Sequence, residues 1–245
     1  MFEQKILDSI QVIEHSGIRI DTGTVIYIDP INVSGAPHDA DLILFTHPHF
    51  DHFSPKDVKK IIKDSTVIAV PKSMAAFCVM LLHKKPVTLL PDQTVELAGI
   101  PITTVLAYNK AKPFHMKPMK WLGYILTLGE TRVYISGDTD LTDEARNVSC
   151  DIAMLPIGGC LYTFDAVQAA QLANEIKPHT VIPVHYGTFL GGEEAPKRFK
   201  AALTPDIQAD IRSSAFSKVM VSMYKMLGIY FALGIILIIL LCKLL

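Results

Sequence analysis

The sequence predicts a layered α/β core followed by a C-terminal transmembrane helix, and three observations lead there. Short apolar runs of strand length alternate with longer amphipathic stretches over roughly the first 200 residues, enough for one such core. Gly, Pro and Asp punctuate the joints between those runs. Hydrophobic residues make up 50% of the chain, and their excess is concentrated near the end, where residues 226–242 carry no charge.

The elements follow in chain order. Apolar runs at 10–13, 18–20, 25–28 and 42–45 predict a strand-rich start, with Gly17 and Gly23 as turn residues. Ser54-Pro55-Lys56-Asp57 has the form of an N-cap followed by proline at the first helical position, and predicts a helix running on through 58–63. A second helix is expected over 72–83, its basic last turn accounting for His83. Strands are expected near 102–107, 122–128, 132–135 and 180–184, and helices near 165–176 and 195–202. The chain is therefore parsed as one domain over 1–204, a linker over 205–218 and a transmembrane helix over 219–242.

The terminal run justifies the last of these elements. At 1.5 Å per residue, residues 226–242 span about 25 Å, and with 219–224 added they reach the roughly 30 Å of a bilayer core if Lys225 snorkels. Gly228 and Gly234 lack the spacing of a helix-dimer motif. Lys218 and Lys225 precede the span and Lys243 follows it, with Lys197, Arg198, Lys200 and Arg212 further back. The positive-inside rule then puts the large domain in the cytoplasm, as a single-pass C-terminal anchor would. The N-terminus carries no basic-then-apolar export signal. Cys78, Cys150, Cys160 and Cys242 show no pairing pattern and are expected to be reduced. A formal net charge of −1 argues against a general nucleic-acid binder.

Chemistry is concentrated in Thr46-His47-Pro48-His49-Phe50-Asp51-His52, which places three imidazoles and a carboxylate directly after an apolar run. Imidazole with carboxylate suits zinc, manganese or iron rather than calcium or magnesium. Pro48 holds His47 extended while the chain turns beyond it, bringing His49, Asp51 and His52 towards a common point. Asp138, in Ser136-Gly137-Asp138-Thr139, and His185, in Val184-His185-Tyr186-Gly187, each follow a strand-like run, as ligands on strand-end loops do.

At these motifs the sequence resembles the metallo-β-lactamase superfamily of metal-dependent hydrolases. The resemblance implies an αββα sandwich and two divalent ions, zinc first, with manganese and iron as alternatives. It implies that His47, His49 and His115 hold one ion and Asp51, His52 and His185 the other, with Asp138 bridging. Asp51 and Asp138 would then serve a hydroxide held between the ions, which attacks an ester, lactone or phosphodiester bond. Tyr27-Ile28-Asp29-Pro30, Leu155-Pro156-Ile157-Gly158-Gly159 and Ile182-Pro183-Val184-His185-Tyr186-Gly187-Thr188-Phe189 resemble the branch of ascorbate-6-phosphate lactonase, and more distantly the N-acylphosphatidylethanolamine phospholipase D.

Several expectations attach to that core. Lys110, Lys112, Lys117 and Lys120 bracket His115 and would draw an anionic small molecule or a lipid surface to the site, with Phe114 and Trp121 as apolar contacts or core. Tyr162 and Tyr186 are candidates for steadying an oxyanion, and Cys160 lies close in sequence. The leading expectation is thus a membrane-anchored hydrolase. Beside it stand a metal-binding but non-catalytic scaffold and a redox protein of the flavo-diiron kind, against which the His-x-His-x-Asp-His spacing and the short chain count.

Overall fold

Alternation along the strands sorts their side chains into an inner and an outer layer, and this pattern builds the architecture. The computed structural model describes residues 2–159, 161–187 and 190–212, all within the compact unit Met1–Ala215. Helix α1 (Phe2–Ser9) leads into β1 (Ile10–Glu14), β2 (Gly17–Asp21), β3 (Val25–Ile28) and β4 (Leu42–Leu44). Then come α2 (Pro55–Ile61), β5 (Val67–Pro71), α3 (Ala75–Leu82) and β6 (Val87–Leu89). These six strands form one sheet in sequence order, antiparallel through β3 and parallel from there to β6.

The second half repeats the plan. Strands β7 (Thr94–Leu97), β8 (Ile100–Ala107), β9 (Trp121–Leu128) and β10 (Thr131–Ile135) make an antiparallel run. The sheet continues in parallel through β11 (Ile152–Pro156), β12 (Thr180–Val184) and β13 (Gln208–Ala209). Helices α4 (Asp143–Arg146), α5 (Ala166–Ile176) and α6 (Ala195–Ala202) fill the connections. Strand β13 lies within the stretch expected as a linker.

Residues two apart point to the same face. Ile18, Ile20, Ile26 and Ile28 of the first sheet therefore meet Ile102, Leu126, Val133 and Met154 of the second in one buried inter-sheet layer. On the outer face of the first sheet, Ile43, Ile68 and Val70 pack against Val58 and Ile61 of α2 and Cys78 of α3. On the outer face of the second, Ala153, Leu155 and Val181 pack against Ala169, Leu172 and Ala173 of α5 and Phe199 of α6. The result is the αββα sandwich.

Capping explains the helix starts. Ser54 accepts the Asp57 N–H at the head of α2, with proline inside the first turn. Asp165 and Gln168 form a reciprocal capping box at the head of α5. His83 ends α3 in the left-handed conformation, with its N–H bonded to the Val79 carbonyl, so a helix terminus accounts for it.

The expected transmembrane helix is corrected. Among the described residues no helix is long and apolar enough to cross a membrane, and residues 219–242 lie outside the described residues. Without such a helix the sequence-based case for a membrane anchor, for the membrane as a partner and for a single-pass location with a cytoplasmic domain has no structural support. Cys160, Thr188 and Phe189 also lie outside the described residues.

Candidate metal centre

The loops that follow β4, β8, β10 and β12 converge on one region and bring seven expected ligands together. After β4, the Phe45 N–H is taken by the Ala69 carbonyl and the Thr46 carbonyl by the Leu122 N–H, which pins the loop between the sheets. The His49 carbonyl then accepts both the His52 and Phe53 N–H groups, closing the turn that returns Asp51 and His52 towards His47. Asp138 follows Gly137, which sits at φ +62 where a Cβ would press on Thr46 at 3.1 Å. Gly158 leaves room for the last ligand, since a Cβ there would lie 2.3 Å from the His185 carbonyl oxygen.

Two groups of donors result. His47, His49 and His115 form the first, and Asp51, His52 and His185, joined by His15, form the second; within each group the ligand atoms lie within 4.8 Å of one another. Asp138 stands between them. Its Oδ2 is 3.4 Å from His115 Nε2, 3.8 Å from His47 Nε2 and 3.2 Å from His185 Nε2, while Oδ1 is 3.4 Å from His52 Nε2.

These spacings fit cations. Ligand atoms about 2.0–2.2 Å from a tetrahedral ion stand about 3.3–3.6 Å apart. His52 Nε2, His185 Nε2 and Asp138 Oδ1 are buried and make no hydrogen bond among the described residues. Buried polar atoms without partners are costly, so convergent ones fit a shared ion. The clusters of His and Asp thus indicate one or more divalent-metal sites. Nothing in the donor set singles out zinc.

The groups behind the ligands fix their orientation. Asp29 accepts the Thr46 N–H at 2.8 Å and its hydroxyl at 2.5 Å, and lies 2.7 Å from His52 Nδ1. Having given its proton to Asp29, the Thr46 hydroxyl accepts from His47 Nδ1, 2.9 Å away. One buried carboxylate therefore turns the Nε2 atoms of His52 and, through Thr46, of His47 inward, a known device at metal sites. Asn109 donates to the Tyr162 carbonyl at 2.8 Å and places its amide 3.3 Å from His115 Nδ1. Asp29, His15 and His185 all hold left-handed backbone, at φ 45, 56 and 54. Such strain persists only where the surroundings impose it.

Electrostatics divides the groups. Burial, followed by the charge of His52, holds His47 well below the usual imidazole range. Burial and then His115 bring His49 down to about 4. In the second group burial also opposes the imidazolium form, but Asp138, Asp29 and Asp51 outweigh it at His52, which is raised well above its ordinary value. His185 likewise rises to about 9, Asp138 overcoming burial. Burial pushes against ionisation of Asp51 and Asp138 too, yet the neighbouring histidines hold both well below the ordinary carboxylate range.

Other expectations resolve differently. The lysines around His115 are largely engaged: Lys112 binds Asp140 and the Thr163 carbonyl, Lys117 binds Glu144, and Lys110 lies 3.6 Å from Asp143. The Tyr186 hydroxyl donates to the Arg212 carbonyl, which makes it a packing residue. Tyr162 places its ring 6.4 Å from His115 and 5.0 Å from Phe114. Trp121 is buried, as a strand residue should be, and also walls the first group, its ring about 5 Å from those of His47, His49 and His115. Sequence reasoning missed His15, Asn109 and any role for Asp29; an Asp-Pro pair directly after a strand was the one available signal.

The chain is similar to known proteins in sequence and in fold. The family model described as the beta-lactamase superfamily domain matches residues 9–185. A UPF0173 metal-dependent hydrolase of Methanosphaerula palustris is 27% identical over 215 residues, covering 83% of this chain and 95% of its own. Another, of Nitratidesulfovibrio vulgaris, is 32% identical over 207 residues, covering 77% of this chain and 84% of its own. A crystal structure from Parabacteroides distasonis, described as that of a metal-dependent hydrolase, matches with a TM-score of 0.69 at 30% identity and covers 83% of this chain and 91% of its own. With two histidine-rich groups meeting at one aspartate inside the matched region, the chain belongs to the β-lactamase superfamily and is a metal-dependent hydrolase of its metallo-β-lactamase fold.

Proposed function

We propose that His47, His49 and His115 hold one divalent cation and Asp51, His52 and His185 a second, with Asp138 shared, and that the pair serves hydrolysis of a carboxylic ester, lactone or phosphodiester. Asp138 is the observation that carries this reading: one buried carboxylate lies within 3.2–3.8 Å of ligand atoms from both groups. Zinc, manganese and iron are the metals to test, since the donors are mainly imidazole with carboxylate. When bound, such ions lower the pKa of a water and offset the charge that develops on the substrate oxygen.

The chain's own residues supply the rest. Asp51 and Asp138 bring two negative charges to a buried place, which suits cations and leaves neither carboxylate free as a base. Trp121 covers one side of the first group, while His49 is the partly exposed member of the proposed ligand set. The motifs around Asp29, Gly158 and His185 support the lactonase-like branch and put lactones first among the bonds to try.

The test is turnover by the purified protein on panels of lactones, carboxylic esters and phosphodiesters, before chelation, after it, and after return of zinc, manganese or iron. The expected result is hydrolysis in at least one panel, lost on chelation and restored by metal. Two bound ions with no turnover in any panel would contradict hydrolysis of these bonds.

A further inference from the structure

His15 sits in the turn between β1 and β2, outside every motif discussed above, yet it is fully buried against the second group of ligands. Its Nε2 lies 3.3 Å from Asp51 Oδ2, the same oxygen that stands 3.6 Å from His185 Nε2. Its ring lies over that of His185, with centroids 3.7 Å apart. Its carbonyl accepts the His185 N–H at 3.1 Å. Both residues are held in left-handed backbone. One residue of the first sheet thus touches a ligand on the β4 loop through its side chain, and a ligand on the β12 loop through both ring and backbone.

We propose that His15 is a positioning residue for the second metal: it donates from Nε2 to Asp51 Oδ2 and seats the His185 ring, fixing the two ligands relative to each other. The inference rests on the proposed second ion. A positioning role follows from the contacts, because His15 Nε2 is at hydrogen-bonding distance from a carboxylate oxygen that already faces His185. His15 also bridges the two sheets at the point where their ligands must agree in register, which a residue on either ligand loop could not do. A group that orients a ligand without binding the ion commonly changes metal affinity by about 10–100-fold when removed.

The experiment is a metal titration of the full chain, with cobalt as a spectroscopic stand-in, on the wild type, H15F and H15Q. Phenylalanine keeps a ring over His185 but removes the donor, whereas glutamine carries an N–H close to where Nε2 was. The expected result is that H15F weakens the second binding step about 10–100-fold and leaves the first unchanged. H15Q should recover most of that loss and show the wild-type cobalt spectrum. Equal second-step affinity in H15F and wild type would overturn the proposal. Failure of H15Q to recover affinity, or a changed cobalt spectrum in it, would also overturn it by making His15 a ligand. If H15F does not fold, H15Q alone decides through its affinity and spectrum. A wild-type protein with a single binding step would instead refute the proposed second ion, which separates that failure from this one.

Discussion

The two ligand groups share an aspartate but are built on opposite electrostatic plans. The first is three imidazoles beside an indole, with His47 and His49 driven below their ordinary pKa by burial and by neighbouring histidines. The second is enclosed by carboxylates: His52 is raised because Asp138, Asp29 and Asp51 overcome its burial, and His185 because Asp138 and Asp51 do. His47 and His49 are thus ready with neutral nitrogens. The second group holds protons that a cation must displace. Buried His47 and buried His52 move in opposite directions, so the balance of imidazole and carboxylate, not burial, sets the difference.

The largest test of this comparison removes what the groups have in common. D138A is expected to lower metal content at both groups and to cut turnover by about a thousandfold or more, because ligands that act as a unit fail together. Metal analysis and initial rates check this.

The pH dependence comes next and should separate the groups. Because the His185 pKa is raised to about 9, its proton is bound below that pH and competes with the metal. Second-step affinity should therefore fall by about tenfold per pH unit below about 9 for each proton displaced. His49, at about 4, adds no such competition to the first step until the pH nears 4. Competition titrations at several pH values would show the two steps diverging, and parallel slopes would erase the distinction.

A smaller effect probes the shared buttress. D29N is expected to weaken the second step by about 10–100-fold, because Asp29 meets His52 directly, and the first step less, because it reaches His47 only through Thr46. Equal losses would mean that Asp29 acts on the fold rather than on the ligands. The smallest effect belongs to the loop. K117A should change turnover by less than about twofold, since the Lys117–Glu144 pair is exposed and such pairs contribute little.

Much of this centre was legible where chemistry is local. His47, His49, Asp51 and His52 fall within one turn after one strand, so their spacing alone carried the metal reading. His115, Asp138 and His185 needed the order of landmarks along the chain, because no local pattern ties them to the first motif. His15 is a lone histidine in a turn, and its meaning arises only when the His185 loop packs onto it. The basic loop shows the converse. Its lysines were visible, but Asp140 and Glu144, which engage two of them, are brought close only by folding.

The elements divide in the same way. Strands β8, β9, β10 and β12 carry strong apolar runs and were expected close to where they lie, as was capped α5. Strand β11 was not among the expected strands; only its last two residues, Leu155 and Pro156, fell in a quoted motif. Strands β6, β7 and β13 are edge strands of three, four and two residues, too short for a period-2 pattern to stand out in the sequence. The terminal apolar run was the clearest compositional feature, and it lies outside the described residues, among which no helix is long and apolar enough to cross a membrane.

The most direct test of the central claim, that two ligand groups meet at one shared carboxylate, is a count of bound metal by elemental analysis of the wild type, H49A, H52A and D138A. The account predicts two equivalents in the wild type, one in H49A, one in H52A and fewer than one in D138A. Two equivalents retained in D138A, or a wild type that never exceeds one, would contradict it.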